Sequence, residues 1–135
     1  QKRLMSSSED CIFCSKKNCK VIKSTKFFYI IRDTAYPVTQ HHTLIITKRH
    51  ISSYFKLKKD EILELDEILK IQQKELINLD KSISGFNIGT NIGKDAGQSI
   101  MHCHIHLIPR RKGDIEDPRG GVRGVIPSKQ KYKKK

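Results

Sequence analysis

The segment that most constrains this chain is 102–109, His-Cys-His-Ile-His-Leu-Ile-Pro. Imidazole and apolar side chains alternate there with the period of a β-strand, whose successive side chains point to opposite faces. His102, His104 and His106 therefore share one face, roughly 6–7 Å apart in succession. Cys103, Ile105 and Leu107 share the other, as residues that pack on a core. Three of the chain's six histidines on one strand face make a poor sheet surface and a plausible chemical site. Directly upstream runs Gly93-Lys94-Asp95-Ala96-Gly97-Gln98-Ser99. Its glycines let backbone N–H groups approach a ligand, and the Gln98 amide and Ser99 hydroxyl suit phosphate oxygens.

A chain of 135 residues fits one domain, and 36% hydrophobic residues suffice for one small core. No apolar run approaches the ~18–20 residues of a membrane span. Residues 1–10 are polar and lack the apolar stretch of a secretory signal. The four cysteines, Cys11, Cys14, Cys19 and Cys103, are too few for a disulfide framework and fit a reducing, cytoplasmic setting. The net charge of +13 first suggests nucleic acid. Yet residues 110–135 hold ten Lys/Arg against three Asp/Glu, so +7 of that excess lies at one end. Trp is absent, and the nine Tyr and Phe form no interleaved stacking platform. The charge fits a basic rim that attracts small anionic nucleotides, plus a solvated lysine tail, with nucleic-acid binding weak and non-specific.

Along the chain, 1–10 reads as a flexible leader, 11–127 as a single domain and 128–135 as a basic tail. Residues 27–31 and 43–47 are aromatic and β-branched, as strands are, with Asp33 and Pro37 in the loop between them. Residues 58–82 read as a long helix. Asp60 and Glu61 favour its start and Lys81 its end, and Ile62, Leu65, Leu69, Leu76 and Leu79 recur as a buried stripe. Residues 86–92 and 100–109 read as further strands, and 118–124 as irregular. The fold expected is α+β, a mostly antiparallel sheet with one long helix across a face.

The run 97–108, Gly-Gln-Ser-Ile-Met-His-Cys-His-Ile-His-Leu-Ile, resembles the signature of the histidine triad (HIT) family. Residues 42–46, 48–51 and 86–93 match the family pattern in order. The resemblance covers roughly 10–132 and is closest to the bacterial-type, zinc-containing Hint-like branch. It implies a HIT-like fold, with a mostly antiparallel sheet of about five strands, and a homodimer whose sheets join. It further implies a nucleotide hydrolase or nucleotidyl transferase acting on nucleoside phosphoramidates or dinucleoside polyphosphates, with no metal in the chemical step. By resemblance His104 is the nucleophile, attacking the α-phosphorus to give a covalent nucleotidyl–histidine. Its other ring nitrogen is expected to face a backbone carbonyl that fixes the tautomer. His106 then contacts phosphate oxygens or the leaving group, and His42 supports the triad. Asn91 and Ser99, with Gln98 beside them, match phosphate-contacting positions, and Asp33 lies near the carboxylate position that binds ribose hydroxyls. Residues 113–127 resemble the C-terminal segment of one bacterial subgroup, which in the family helps set substrate preference.

Cys11-x-x-Cys14 has the knuckle spacing of a zinc half-site. By the same resemblance His50 and His102 complete it. Four protein ligands leave no open position, so this zinc is expected to be structural. Cys19 is read as an ordinary thiol, Cys103 as buried and His41 as exposed or structural. Two other readings compete. A metallohydrolase holding catalytic zinc on His102, His104 and His106 leaves the Gly-Gln-Ser loop and the cysteine pair unexplained. A basic nucleic-acid-binding module uses only the charge.

Overall fold

The computed structural model describes residues 11–15, 20–33 and 35–132. The expected leader, Cys19 and the last three residues of the expected tail lie outside the described residues. A single turn, α1 (Ile12–Ser15), precedes β1 (Val21–Ser24), β2 (Phe28–Arg32) and β3 (Thr43–Thr47). The long helix α2 (Lys59–Leu79) follows, then β4 (Ile83–Gly89) and β5 (His104–Arg111). The five strands form one sheet in the order β1-β2-β3-β5-β4, every neighbouring pair antiparallel. The histidine strand β5 is thus held on both sides. No described helix is long and apolar enough to cross a membrane.

Strand alternation separates two cores. Phe28, Ile30, Ile45, Cys103 and Ile105 pack with Leu65 and Ile68 of α2 on one face of the sheet. Tyr29, Ile31, Leu44 and Ile46 face the other way and are covered by Cys11 and Phe13 of the cysteine knuckle. Cross-strand pairing of Leu44 with His106 and of Ile46 with His104 puts those histidines on the knuckle side. The Tyr29 hydroxyl donates to the Phe13 carbonyl and ties knuckle to sheet.

Several elements differ from the sequence expectation. The strand β1 is exposed along its whole length, and its short apolar pair, Val21 and Ile22, stands among lysines in a stretch that reads as merely basic. Strand β4 starts three residues before the expected 86, because Ile83 packs with Leu76 and Leu107 in a third small cluster. Strand β5 starts at His104 and not at 100, because Cys103 bonds outside the ladder, its N–H to the Ile51 carbonyl at 2.6 Å. Helix α2 ends at Leu79, so Lys81 lies beyond it. Its buried stripe is Glu61, Leu65, Ile68, Gln72 and Leu76, whereas Ile62 and Leu79 are exposed. Two polar residues fill the stripe because each meets an arginine. Glu61 takes a bidentate contact from Arg49 at 2.8 and 3.0 Å, and Gln72 accepts from Arg32 at 2.6 Å. Residues 118–124 are partly ordered as a 3-10 turn, Gly121–Val125, and a second turn, Pro127–Lys129, follows. At Gly120, φ is +93° and a Cβ would lie 1.9 Å from the Gln130 carbonyl oxygen, so only glycine fits. That packing draws Gln130 of the expected tail onto the domain.

Candidate active site

The histidine face of β5 opens into a cavity of about 620 Å³, walled by Phe13, Asp33, Asn91, Ser99, His104 and His106 among others. That volume suits a nucleotide-sized ligand. It joins residues from the knuckle, β2 and the loop after it, β3, the segment after β4, the glycine loop and β5.

Hydrogen bonds fix the protonation pattern of each imidazole. His104 Nδ1 lies 2.7 Å from the carbonyl oxygen of His102. A carbonyl only accepts, so Nδ1 carries the proton and Nε2 keeps its lone pair. The Thr90 hydroxyl donates to the His104 carbonyl at 2.8 Å and anchors the strand there. Phe13 meets the His104 ring edge-on, with centroids 4.9 Å apart at 70°.

A second chain of bonds leads through His42. Its Nδ1 accepts the Val38 N–H at 2.9 Å. Its Nε2 therefore holds the proton and gives it to His106 Nδ1, 2.9 Å away. That leaves His106 with its own proton on Nε2. His42 is buried behind His106 and is absent from the cavity wall. Burial pushes His42, His104 and His106 below the ordinary imidazole range, and His106 falls to about 4 with the neighbouring His104 and His42 adding to the effect. All three are neutral at pH 7.

The polar wall is arranged unevenly. Ser99 and Asn91 line the cavity, as does Asp33. Gln98 also lines it, but its amide is spent on the loop. The Oε1 accepts from Gly93 at 2.9 Å, and Nε2 donates to the Ser52 and Ile100 carbonyls at 2.8 and 3.1 Å. Gln98 therefore shapes the loop and has no amide hydrogen left for a phosphate oxygen, a correction to its expected contact role.

His102 does not share the cavity. Its Nε2–H donates to the Thr47 carbonyl at 2.7 Å, so Nδ1 is a bare lone pair. That lone pair lies 3.2 Å from Cys11 Sγ, Cys14 Sγ and His50 Nδ1 alike. Cys14 Sγ and His50 Nδ1 are 3.0 Å apart, and all four donor atoms lie within 4.8 Å of one another. Two thiols and two imidazole nitrogens converging so closely match the donor set of a tetrahedral zinc site. Burial and the neighbouring Cys11 push the Cys14 thiol up to about 11, a cost that a bound cation would reverse. Among the described residues this is the one His/Cys/Asp/Glu group so disposed. His104 and His106 turn their Nδ1 atoms elsewhere, so a zinc held on His102, His104 and His106 has no counterpart.

Four supporting groups escaped the sequence reading. Phe13 sits inside the knuckle, whose cysteines drew the attention. The Thr47 carbonyl and the Val38 N–H carry no side-chain signal at all, whereas the carbonyl expected behind His104 is that of His102. Arg49, next to His50, is pinned to Glu61 of α2 and holds the metal-side loop from behind.

The HIT domain family model matches residues 15–113. A HIT-like protein of Methanocaldococcus jannaschii is 33% identical over 110 residues, 78% of this chain and 83% of that protein. The asymmetrical bis(5'-nucleosyl)-tetraphosphatase of Schizosaccharomyces pombe is 37% identical over 82 residues, 60% of this chain and 44% of that enzyme. Among solved structures, a zinc-bound histidine triad family protein from Mycobacterium smegmatis superposes with a TM-score of 0.70 at 28% identity, covering 82% of each chain.

Proposed function

The chain belongs to the HIT domain family, and from that premise we propose that it transfers a nucleotidyl group from nucleoside phosphoramidates or dinucleoside polyphosphates to His104, then to water. The observation that carries the reading is the fixed tautomer of His104, whose Nε2 lone pair faces the cavity while Nδ1–H is held by the His102 carbonyl. The tetraphosphatase likeness supports the choice of substrate class.

In this reading Nε2 of His104 attacks the α-phosphorus. A P–N bond forms and the bond from phosphorus to the leaving group breaks, its electron pair departing with that group. The resulting ring carries a positive charge, which the His102 carbonyl stabilises through Nδ1–H. His106 Nε2–H donates to a phosphate oxygen or to the departing atom of the leaving group, oxygen in a polyphosphate and nitrogen in a phosphoramidate, and the His42 bond keeps that proton outward. Ser99 and Asn91 bind non-bridging oxygens, and Asp33 binds the sugar hydroxyls. Water then takes the nucleotidyl group, releasing one proton and returning His104 to its neutral form. No step needs a metal.

Cys11, Cys14, His50 and His102 are the residues that would hold zinc. Bound there, zinc crosslinks the knuckle to the strand and adds no reactive position, since all four ligands are protein. The likeness to the zinc-bound relative supports this.

A homodimer joined through β4 completes the reading. Of the two sheet edges, β1 carries Lys23, a typical guard against edge pairing, whereas β4 has no charged residue. Exposed Ile88 of β4 and Ile62 of α2 border a shallow apolar groove beside that edge.

The test is to trap the intermediate. After rapid quenching with excess substrate in chelator, mass spectrometry should find one nucleotidyl group on His104, lost in acid. An unmodified His104 during active turnover sinks the proposal.

A further inference from the structure

Among the described residues two non-glycine residues have positive φ, Asp33 at 53° and His41 at 72°. Such backbone is uncommon outside glycine and persists where surrounding structure imposes it. Here the two are bonded to each other. The His41 N–H donates to Asp33 Oδ1 at 2.7 Å. Asp33 Oδ2 in turn faces His41 Nδ1 at 3.7 Å. That ring nitrogen is buried and has no hydrogen-bond partner. The Asp33 N–H donates to the His42 carbonyl at 2.8 Å, closing the clasp from the other side. His41 is held in turn by the Thr43 hydroxyl, which donates to its carbonyl at 2.9 Å.

From this geometry we infer that His41 is a positioning residue for the sugar end of the substrate, aiming the Asp33 carboxylate into the cavity. The inference rests on the proposed role of Asp33 as the acceptor for the ribose hydroxyls. One carboxylate oxygen is gripped by the backbone, and the imidazole stands against the other. A small closure brings its Nδ1–H within hydrogen-bond reach. Both outer lone-pair directions of the carboxylate then remain for a vicinal diol, which needs two acceptors at fixed spacing. The same dipeptide carries His42, whose imidazole orients His106. One strained turn thereby sets the distance between the sugar acceptor and the phosphate donor. Specificity for a ribonucleotide is the expected result, because a carboxylate built to receive hydroxyls is left unpaired by a sugar that lacks them.

The experiment compares a nucleoside 5'-phosphoramidate with its 2',3'-dideoxy counterpart in wild type, His41→Gly and Asp33→Asn. Glycine at 41 keeps the backbone N–H, relieves the positive φ and removes only the imidazole. Wild type should prefer the ribonucleotide by about tenfold or more in kcat/KM. His41→Gly should narrow that preference to about threefold, through KM and not kcat, with unchanged turnover of the dideoxy substrate and no loss of thermal stability. An unchanged preference in His41→Gly overturns the inference, as does an equal loss on both substrates, which marks a merely structural role. Asp33→Asn separates the two layers. If it leaves the preference intact, the sugar assignment itself is wrong; if it erases the preference while His41→Gly does not, only the role of His41 fails.

Discussion

His102 and His104 stand two residues apart and project from the same side of the chain, yet they are prepared for opposite chemistry. His102 gives its Nε2 proton to the Thr47 carbonyl and turns Nδ1 into a closed cluster with two sulfurs and a second imidazole. His104 gives its Nδ1 proton to the His102 carbonyl and turns Nε2 into an open cavity. The residue type is identical, though His102 is fully buried and His104 only partly so. The carbonyl that takes the proton decides which nitrogen stays nucleophilic and what it faces. The two sites also share a part, since His102 offers its side chain to the cluster and its carbonyl to His104. Phe13, between the paired cysteines, touches His104 as well. In the proposed reaction the cluster would hold His104 in place without joining in.

The sharpest way to break this division is a crossed pair of substitutions. His104→Ala should lower kcat by about 10⁴-fold or more, leaving nucleotide binding, metal content and melting temperature nearly unchanged. Turnover in that variant within tenfold of wild type would remove His104 from the chemistry. Cys14→Ser should behave conversely. Metal analysis should read about one zinc per chain in wild type and much less in the variant, with a melting temperature lower by about 10 °C. Below that temperature its kcat/KM should fall no more than about tenfold. A folded Cys14→Ser protein with no turnover would mean that the cluster takes part in the reaction.

Much of this contrast was legible in the sequence, and the part that was not has a common cause. Alternation along 102–109 separates the histidine face from the core face because strand geometry has period two. Cys11-x-x-Cys14 announces half a metal site because two thiols at that spacing converge on one ion. The resemblance implies a backbone carbonyl behind His104, and His102 supplies it. The tautomers of His102 and His42 lie beyond reach, since the Thr47 carbonyl and the Val38 N–H belong to the backbone and any residue supplies them. The buried stripe of α2 was misread for a related reason. Glu61 and Gln72 look like surface residues until Arg49 and Arg32 arrive from distant parts of the chain to satisfy them. The edge strand β1 is exposed throughout and is held by pairing with β2 alone.

Glu61 offers a finer probe of how the cluster is held. It is almost wholly buried, accepts two bonds from Arg49 and a third from the Lys58 N–H at 2.8 Å, and Arg49 directly precedes the ligand His50. Glu61→Gln leaves an unpaired guanidinium beside a partly satisfied amide and should cost about 2 kcal/mol in denaturant unfolding. Zinc occupancy at saturating metal and turnover should both persist, because neither His102 nor His104 loses a partner. If occupancy falls with stability unchanged, the Arg49–Glu61 pair sets ligand geometry and not fold stability.

The smallest expected effect is the part of the pH dependence of stability that the open site contributes. Burial holds His106 at about 4 and His42 below its ordinary value, and neither is a cluster ligand. Both are depressed in the folded protein, so between the folded and unfolded pKa values the unfolded chain binds more protons. Stability is therefore full above the unfolded value near 6.5 and is lost as pH falls toward 4. The slope should reach about one to two protons per molecule near pH 5 in denaturant titrations. His106→Gln removes one titrating group and shortens the relay from His42, so its curve should be flatter by close to one proton. Cys14→Ser, measured in the same way, should keep the contribution of His106. An unaltered slope in His106→Gln would place the acid sensitivity elsewhere and undo the claim that the open face is kept neutral by its burial.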